Sequence, residues 1–115
     1  FIAQRMQFMI RYKFGEIVLV LFLQPDGERK KRPALIILDT GDDDIVLAPI
    51  TTKERTGIGN YKIRDWQEGG LLLESWIRLS KIACIEKNNI ERLFGKMTSF
   101  DRRKIISIWK QTYKL

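Results

Sequence analysis

The chain alternates compact apolar runs with short polar, turn-rich stretches, and the spacing is that of strands. Glu16–Leu23 (EIVLVLFL) is dense in β-branched and aromatic side chains without helical spacing, the pattern of a strand buried on both faces. Gln24–Lys31 (QPDGERKK) follows as a polar loop on Pro25-Asp26-Gly27 turn chemistry. Pro33 opens the next apolar run, Ala34–Leu38, at a strand's first residue, where its missing N–H costs no ladder bond. Asp39–Asp44 (DTGDDD) reads as a hairpin turn and Ile45–Ile50 as the returning strand. Thr51–Asn60 (TTKERTGIGN) has no apolar period and reads as a flexible loop. Tyr61–Ile63 is a short strand and Glu68-Gly69-Gly70 a turn. Leu71–Ile85 has strand composition throughout, with a change of phase near Lys81 that predicts a bend or bulge. Asn88-Asn89 is a turn, and Ile90–Met97 is a last short strand or a helical turn.

One helix is predicted, at the end. Thr98 and Asp101 form a capping-box-like pair, and Ile105, Ile108, Trp109 and Thr112 then recur at helical spacing. No linker, repeat or low-complexity segment divides the 115 residues, a length that fits one core. Many short strands closed by one helix predict a mainly β domain, a small barrel with a C-terminal α-helix. The barrel is expected over residues 13–115, after a lead-in of undecided structure over residues 1–12.

Composition narrows the function. Lysine and arginine number 21 against 14 acidic residues, a net charge of +7, which favours a polyanionic partner. Cys84 is the lone cysteine and has no internal disulfide partner, so a reducing cytoplasm is the expected compartment. Histidine is absent, which excludes histidine-containing zinc sites and any Ser–His–Asp triad. Acid–base work would fall to carboxylates, hydroxyls, lysines or arginines. The longest apolar run, Ile17–Leu23, is far short of the ~20 residues of a membrane span, and no membrane partner is expected. Phe1–Met9 lacks the clean apolar stretch and cleavage site of a signal peptide. A natural start nearer Met6 or Met9 is expected, because the first residue is Phe.

Three groups of residues carry candidate chemistry. Arg29-Lys30-Lys31-Arg32 places four bases ahead of a strand. Arg32 precedes Pro33, so its backbone is extended and its guanidinium is expected at the strand mouth, a fixed positive fork for phosphate oxygens. The plain alternative is a solvated charged loop. Thr51 and Thr52 follow the Ala48-Pro49-Ile50 strand end, where hydroxyls can donate to a phosphate or simply bond local backbone. Lys53, Arg55, Lys62 and Arg64 flank a glycine-containing loop beside Tyr61 and Trp66, a mix that can hold single-stranded nucleic acid or serve as an ordinary surface loop. The loop lacks the ending of a Walker A motif. Asp42-Asp43-Asp44 reads as a solvated hairpin rather than a metal site. Cys84 is expected as a core thiol, and Trp76 and Trp109 as core or interface anchors.

In order and spacing these segments resemble the MazF/PemK/Kid toxins. The resemblance runs through Phe14–Val20, Arg32-Pro33-Ala34-Leu35-Ile36-Ile37, Ala48-Pro49-Ile50-Thr51-Thr52, Ser75–Ile82 and Gly95-Lys96-Met97 with the final helix. It implies an SH3-like (CcdB/PemK-type) barrel, a homodimer, and metal-independent endoribonuclease activity on single-stranded mRNA with no cofactor. It also implies a cognate acidic antitoxin that blocks the RNA groove. The implied chemistry is attack of the ribose 2′-hydroxyl, leaving a 2′,3′-cyclic phosphate. Arg32 maps to the central arginine and Thr51 to the first threonine. Some members carry an Arg and an Asp where this chain has Leu73 and Ser75, and that Asp is a proposed general base. Glu28 is the expected substitute, with Ser75 kept as a catalytic candidate. Arg29, Lys30, Lys31, Thr52, Lys53, Arg55, Lys62 and Arg78 are the expected RNA contacts. The other readings are a non-catalytic nucleic-acid-binding barrel and a CcdB-like topoisomerase poison, the latter requiring Trp109 to be free for a partner.

Overall fold

The computed structural model describes residues 10–114; residues 1–9, most of the expected lead-in, and residue 115 lie outside the described residues. Seven strands form one antiparallel sheet: β1 (Glu16–Leu23), β2 (Arg29–Leu38), β3 (Asp44–Thr51), β4 (Asn60–Lys62), β5 (Trp76–Arg78), β6 (Ala83–Glu86) and β7 (Ile90–Lys96). Their order is β4-β5-β3-β2-β1-β7, with β6 also paired to β3. A single α-helix, α1 (Ser99–Tyr113), closes the chain. The mainly β fold with a C-terminal helix is therefore as expected.

The sheet is buried on both faces, and strand alternation divides its core in two. Ile17, Leu35, Ala48, Ile50, Ile77 and Ile105 make one cluster, which includes the helix. Val18, Val20, Ala34, Ile36, Ile45, Leu47 and Ile90 make the other. Burying each Ile, Leu or Val contributes about 1.5–3 kcal/mol. The run Glu16–Leu23 needed apolar groups at consecutive positions because β1 feeds both clusters. The two ends of the sheet order are drawn together where the turn after β4 crosses β7. A Cβ on Gly95 would stand 2.6 Å from the Gly69 carbonyl oxygen, and one on Gly70 (φ 91°) 2.7 Å from that of Phe94. Only glycine permits this backbone-on-backbone approach.

Helix α1 is capped as its sequence predicts: the Thr98 side chain accepts the Asp101 N–H. The fully buried Asp101 also knots the helix to the segment after β4. Its carboxylate accepts the Tyr61 hydroxyl (2.5 Å) and the Arg64 and Asp65 N–H groups (3.0 and 2.9 Å). Burial, followed by this bond to a carboxylate, pushes the Tyr61 phenol above its ordinary value. A second knot ties the start of the described chain to the far end of the barrel. Asp39 accepts Tyr12 N–H, Gly41 N–H and the Lys87 ammonium, each at 2.8 Å, and Lys87 also donates to the Ile10 carbonyl. Both side chains of the ion pair are essentially inaccessible.

Several expectations are corrected. Arg29, Lys30 and Lys31 stand in β2 rather than in a loop, because β1 extends through Leu23 and pairs with them. Pro33 consequently lies inside the strand; β3 pairs with β2 only from Ala34 onward, so one side of Pro33 has no strand to receive a donor. Leu71–Ile85 is not continuous strand: residues 71–75 lie across the seam beside Gly70, and a 3-10 turn at Leu79–Lys81 separates β5 from β6. Cys84 is exposed, because Ala83 and Ile85 face the core and alternation turns the thiol outward. Ile90–Lys96 takes the strand alternative.

Candidate functional site

Cross-strand register assembles a site that no single segment contains. Val20 pairs with Arg32 between β1 and β2, and Ala34 with Pro49 between β2 and β3. The β2–β3 ladder ends at that pair, two residues short of Arg32 and Thr51, which share its face of the sheet. Thr51 pairs with Trp76 on β5, and Trp76 with Lys62 on β4. Thr51, Trp76 and Lys62 therefore form one rung, with paired strands ~4.8 Å apart, and Arg32 lies on the same face just past the end of the β2–β3 ladder. The face is that of Ala34, Ile36 and Leu47, so an apolar column ends where this polar rung begins. Arg78, two residues beyond Trp76, shares the face and pairs with Asn60.

The side chains on this rung are held by ordinary forces. Lys62 lies 5.6 Å from the centroid of the Trp76 ring and 3.4 Å from Glu74. The Thr51 hydroxyl accepts the Lys53 N–H at 3.1 Å, a local turn that orients the oxygen and leaves its hydrogen free to donate. Arg32 is half-buried in a hollow of about 380 Å³ with Phe22, Pro25 and Pro49. Among the described residues its guanidinium has no carboxylate and no hydrogen-bond partner. An unpaired guanidinium on the same face as an oriented hydroxyl is a phosphate-binding arrangement.

The remaining candidates divide by face. Lys30 alternates onto the Arg32 side, whereas Arg29 and Lys31 point to the other, where Lys31 pairs with Glu91 at 3.0 Å. Glu28 sits exposed at the β1–β2 turn, its N–H bonded to Asp26 Oδ1. It shares parity with Arg32 and lies four residues away, ~13 Å along the strand. Ser75 is buried and donates its hydroxyl to the Leu73 carbonyl at 2.8 Å. With Thr52, Pro33, Leu73, Arg92 and Phe94 it lines a separate slot of about 470 Å³. The structure thus does not bring Ser75 or Thr52 to Arg32. Lys53 and Arg55 ride on the loop between β3 and β4, Lys53 exposed and Arg55 half-buried.

Sequence reasoning missed Asn60 as a site residue and took Trp76 only for an anchor. Trp76 joins the rung, and Asn60 the neighbouring Arg78, through pairings between strands distant in sequence, for which the linear pattern holds no signal. It also missed Arg92, which stacks on Phe94 at 4.6 Å beside the slot.

A mainly β domain with this topology and a basic rung at its rim falls in a known class of small toxin folds. An endoribonuclease from mycobacterial species in complex with its cognate antitoxin superimposes with a TM-score of 0.74 at 17% identity, over 91% of this chain and 97% of that one. A second mycobacterial endoribonuclease gives 0.73 at 19% identity, over 94% and 96%. The Mycobacterium tuberculosis toxin MazF-mt6 gives 0.65 at 19% identity, over 85% and 97%. A search of curated proteins returned no match. The model of the PemK-like, MazF-like toxins of type II toxin–antitoxin systems matches residues 13–110. The chain belongs to that family.

Proposed function

We propose that this toxin is a metal-independent endoribonuclease that cuts single-stranded mRNA on the face shared by Arg32 and Thr51. The observation that carries the reading is the unpaired Arg32 guanidinium on the same sheet face as the oriented Thr51 hydroxyl. A phosphodiester placed there meets two donors on its non-bridging oxygens, where charge grows as phosphorus becomes pentacoordinate. The ribose 2′-oxygen attacks phosphorus, the bond to the 5′-oxygen breaks, and the products are a 2′,3′-cyclic phosphate and a 5′-hydroxyl. The 2′-hydroxyl proton leaves to solvent water, because Glu28 stands ~13 Å along the strand from Arg32, and water returns one to the leaving oxygen. Lys30, Lys62, Arg78, Arg55 and Lys53 hold the flanking phosphates. Arg29 and Lys31, turned from this face, add to the field that draws the strand in, and Thr52 offers the RNA a hydroxyl from the neighbouring slot.

A cognate acidic antitoxin suits the +7 chain, and the toxin is proposed to act in the cytoplasm as a homodimer. The half-exposed Leu38 and Ile106, beside Phe14 and Trp109, offer an apolar surface for the second copy. Trp109 is half-buried, packs on Tyr113 at 4.5 Å, and would be covered by a second copy seated on this surface, which disfavours the topoisomerase-poison reading. No helix among the described residues is long and apolar enough to cross a membrane.

The test is digestion of a long single-stranded RNA in EDTA, followed by mapping of fragment ends. Discrete fragments with 5′-hydroxyl and 2′,3′-cyclic termini are expected, and intact RNA would refute the proposal. Glu28→Gln should leave the rate within about a factor of two; a ~10²-fold loss at neutral pH would bring Glu28 into the mechanism.

A further inference from the structure

Three leucines stand in water around one slot of about 470 Å³: Leu72 is 91% exposed, Leu73 62% and Leu93 50%. Leucines scattered singly over a surface are ordinary, but three gathered at one concavity mark a binding site. The slot is preformed, because Gly70 in its wall lies against the Phe94 backbone. Its volume is that of a small-molecule site, roughly 300–1,000 Å³. Its polar groups are few. Arg92 lies 4.6 Å from the centroid of the Phe94 ring and has no carboxylate partner among the described residues. Ser75 commits its hydrogen to the Leu73 carbonyl, and Thr52 adds one hydroxyl.

The slot shares two dipeptides with the cut face. Arg32 and Thr51 belong to that face, and the next residue of each, Pro33 and Thr52, lines the slot. Neighbouring Cα atoms are ~3.8 Å apart. The slot and the cut face therefore adjoin at the point where the β2–β3 ladder has ended. A nucleotide held on the cut face by its phosphate carries its base one ribose away. The molecule on the far side of these dipeptides is thus the one placed to fill the slot.

We infer that the slot is a base-binding subsite, which takes the unpaired base of a nucleotide flanking the cut phosphate. The inference rests on the ribonuclease reading above and adds where the substrate is gripped beside the cut. The faces of a base are apolar and pack on Leu73, Leu93 and the Phe94 ring. Arg92, stacked on that ring and free of any carboxylate, meets the adjoining phosphate. With so few polar groups in its walls, the slot holds the base by shape and apolar contact, not by its hydrogen-bonding edge.

The test uses a short RNA around the preferred cut, with the nucleotides on either side of it made abasic one at a time. At one position the abasic substrate should be cut ~10- to 100-fold more slowly than the intact one. Difluorotoluene, which has the shape of uracil and no strong hydrogen-bonding groups, should restore most of the rate at that position. Leu73→Ser combined with Leu93→Ser removes two exposed walls and should leave circular dichroism unchanged. That variant should still cut, but treat the intact and abasic substrates alike. An abasic series without any penalty, a penalty that difluorotoluene does not relieve, or one that persists in the variant would each overturn the inference and leave the ribonuclease standing. If the series is flat and the variant instead loses self-association by light scattering, the slot belongs to a second copy. If the wild-type chain cuts nothing, the ribonuclease reading is what has failed. Equal affinity for oligouridylate and for an abasic ribose–phosphate oligomer of the same length would then overturn the subsite as well.

Discussion

Two polar clusters of this small barrel are built from similar groups and are left in opposite states. Around Asp39, every charge has a partner: one carboxylate takes two N–H groups and an ammonium, and that ammonium takes a carbonyl besides. On the rim face, Arg32 has no partner among the described residues, and Arg55, Asn60 and Arg78 each hold a buried atom unpaired. A closed cluster holds parts of the chain together; an open one is completed from outside. Satisfaction of hydrogen bonds, rather than charge alone, separates the structural Asp39–Lys87 pair from Arg32.

The contrast can be broken at either end. The largest effect is expected at the closed cluster: Lys87→Met strands a buried carboxylate and should cost ~3–5 kcal/mol in urea unfolding. Burial by itself pushes the Asp39 carboxyl up, but its bonds to Lys87, Tyr12 and Gly41 together hold it below the ordinary 3.8. A depressed carboxyl contributes stability that is present above its unfolded value and lost as pH falls through the folded one. Wild type should therefore weaken below about pH 4. In Lys87→Met the carboxyl has lost its cation and protonates more readily. The gap between the two proteins should narrow as pH falls, and a gap constant with pH would show the pair to be without charge coupling.

At the open cluster the effects are on rate. Arg32→Ala should lower cleavage by ~10²–10³-fold, the range for one transition-state donor, with stability within ~0.5 kcal/mol of wild type. A loss of folding comparable to Lys87→Met would place Arg32 among the structural groups instead. Thr51→Val should slow cleavage by ~10-fold or more while RNA affinity holds, seen as a change in kcat alone. The smallest effect belongs to Lys62→Ala, already shared between Trp76 and Glu74. It should weaken binding mildly and reduce the slope of log affinity against log salt by ~1.

Much of the fold was legible along the chain because its signals are local. β1 was read at its true bounds from composition, and the α1 start from Thr98 and Asp101. What was misread depends on partners. Arg29–Lys31 look like a loop until β1 pairs with them, and Cys84 looks like core until β6 takes its register from β3. Leu71–Leu73 look like a strand, but no strand pairs with them. The site was half legible for the same reason. Thr51 stands at a recognisable strand end and Arg32 is marked by the proline after it, though it lies inside β2 rather than at its mouth, whereas Asn60 and Arg78 meet only through the pairing of β4 with β5. Glu28 and Ser75 were chosen to fill a missing role, and register sets Glu28 a strand's half-length from Arg32 and Ser75 in another cavity.

The crossing of Gly69 and Gly70 over Gly95 has a mechanical side. Most seams between sheet edges are cushioned by side chains, which can rotate to absorb a small misfit. Here peptide meets peptide, so the joint has no compliance, and a single added methyl at residue 95 would act as a wedge against the Gly69 carbonyl. The slot walled by Leu71, Leu73 and Phe94 hangs from this hinge pin, so its width is set by bare backbone.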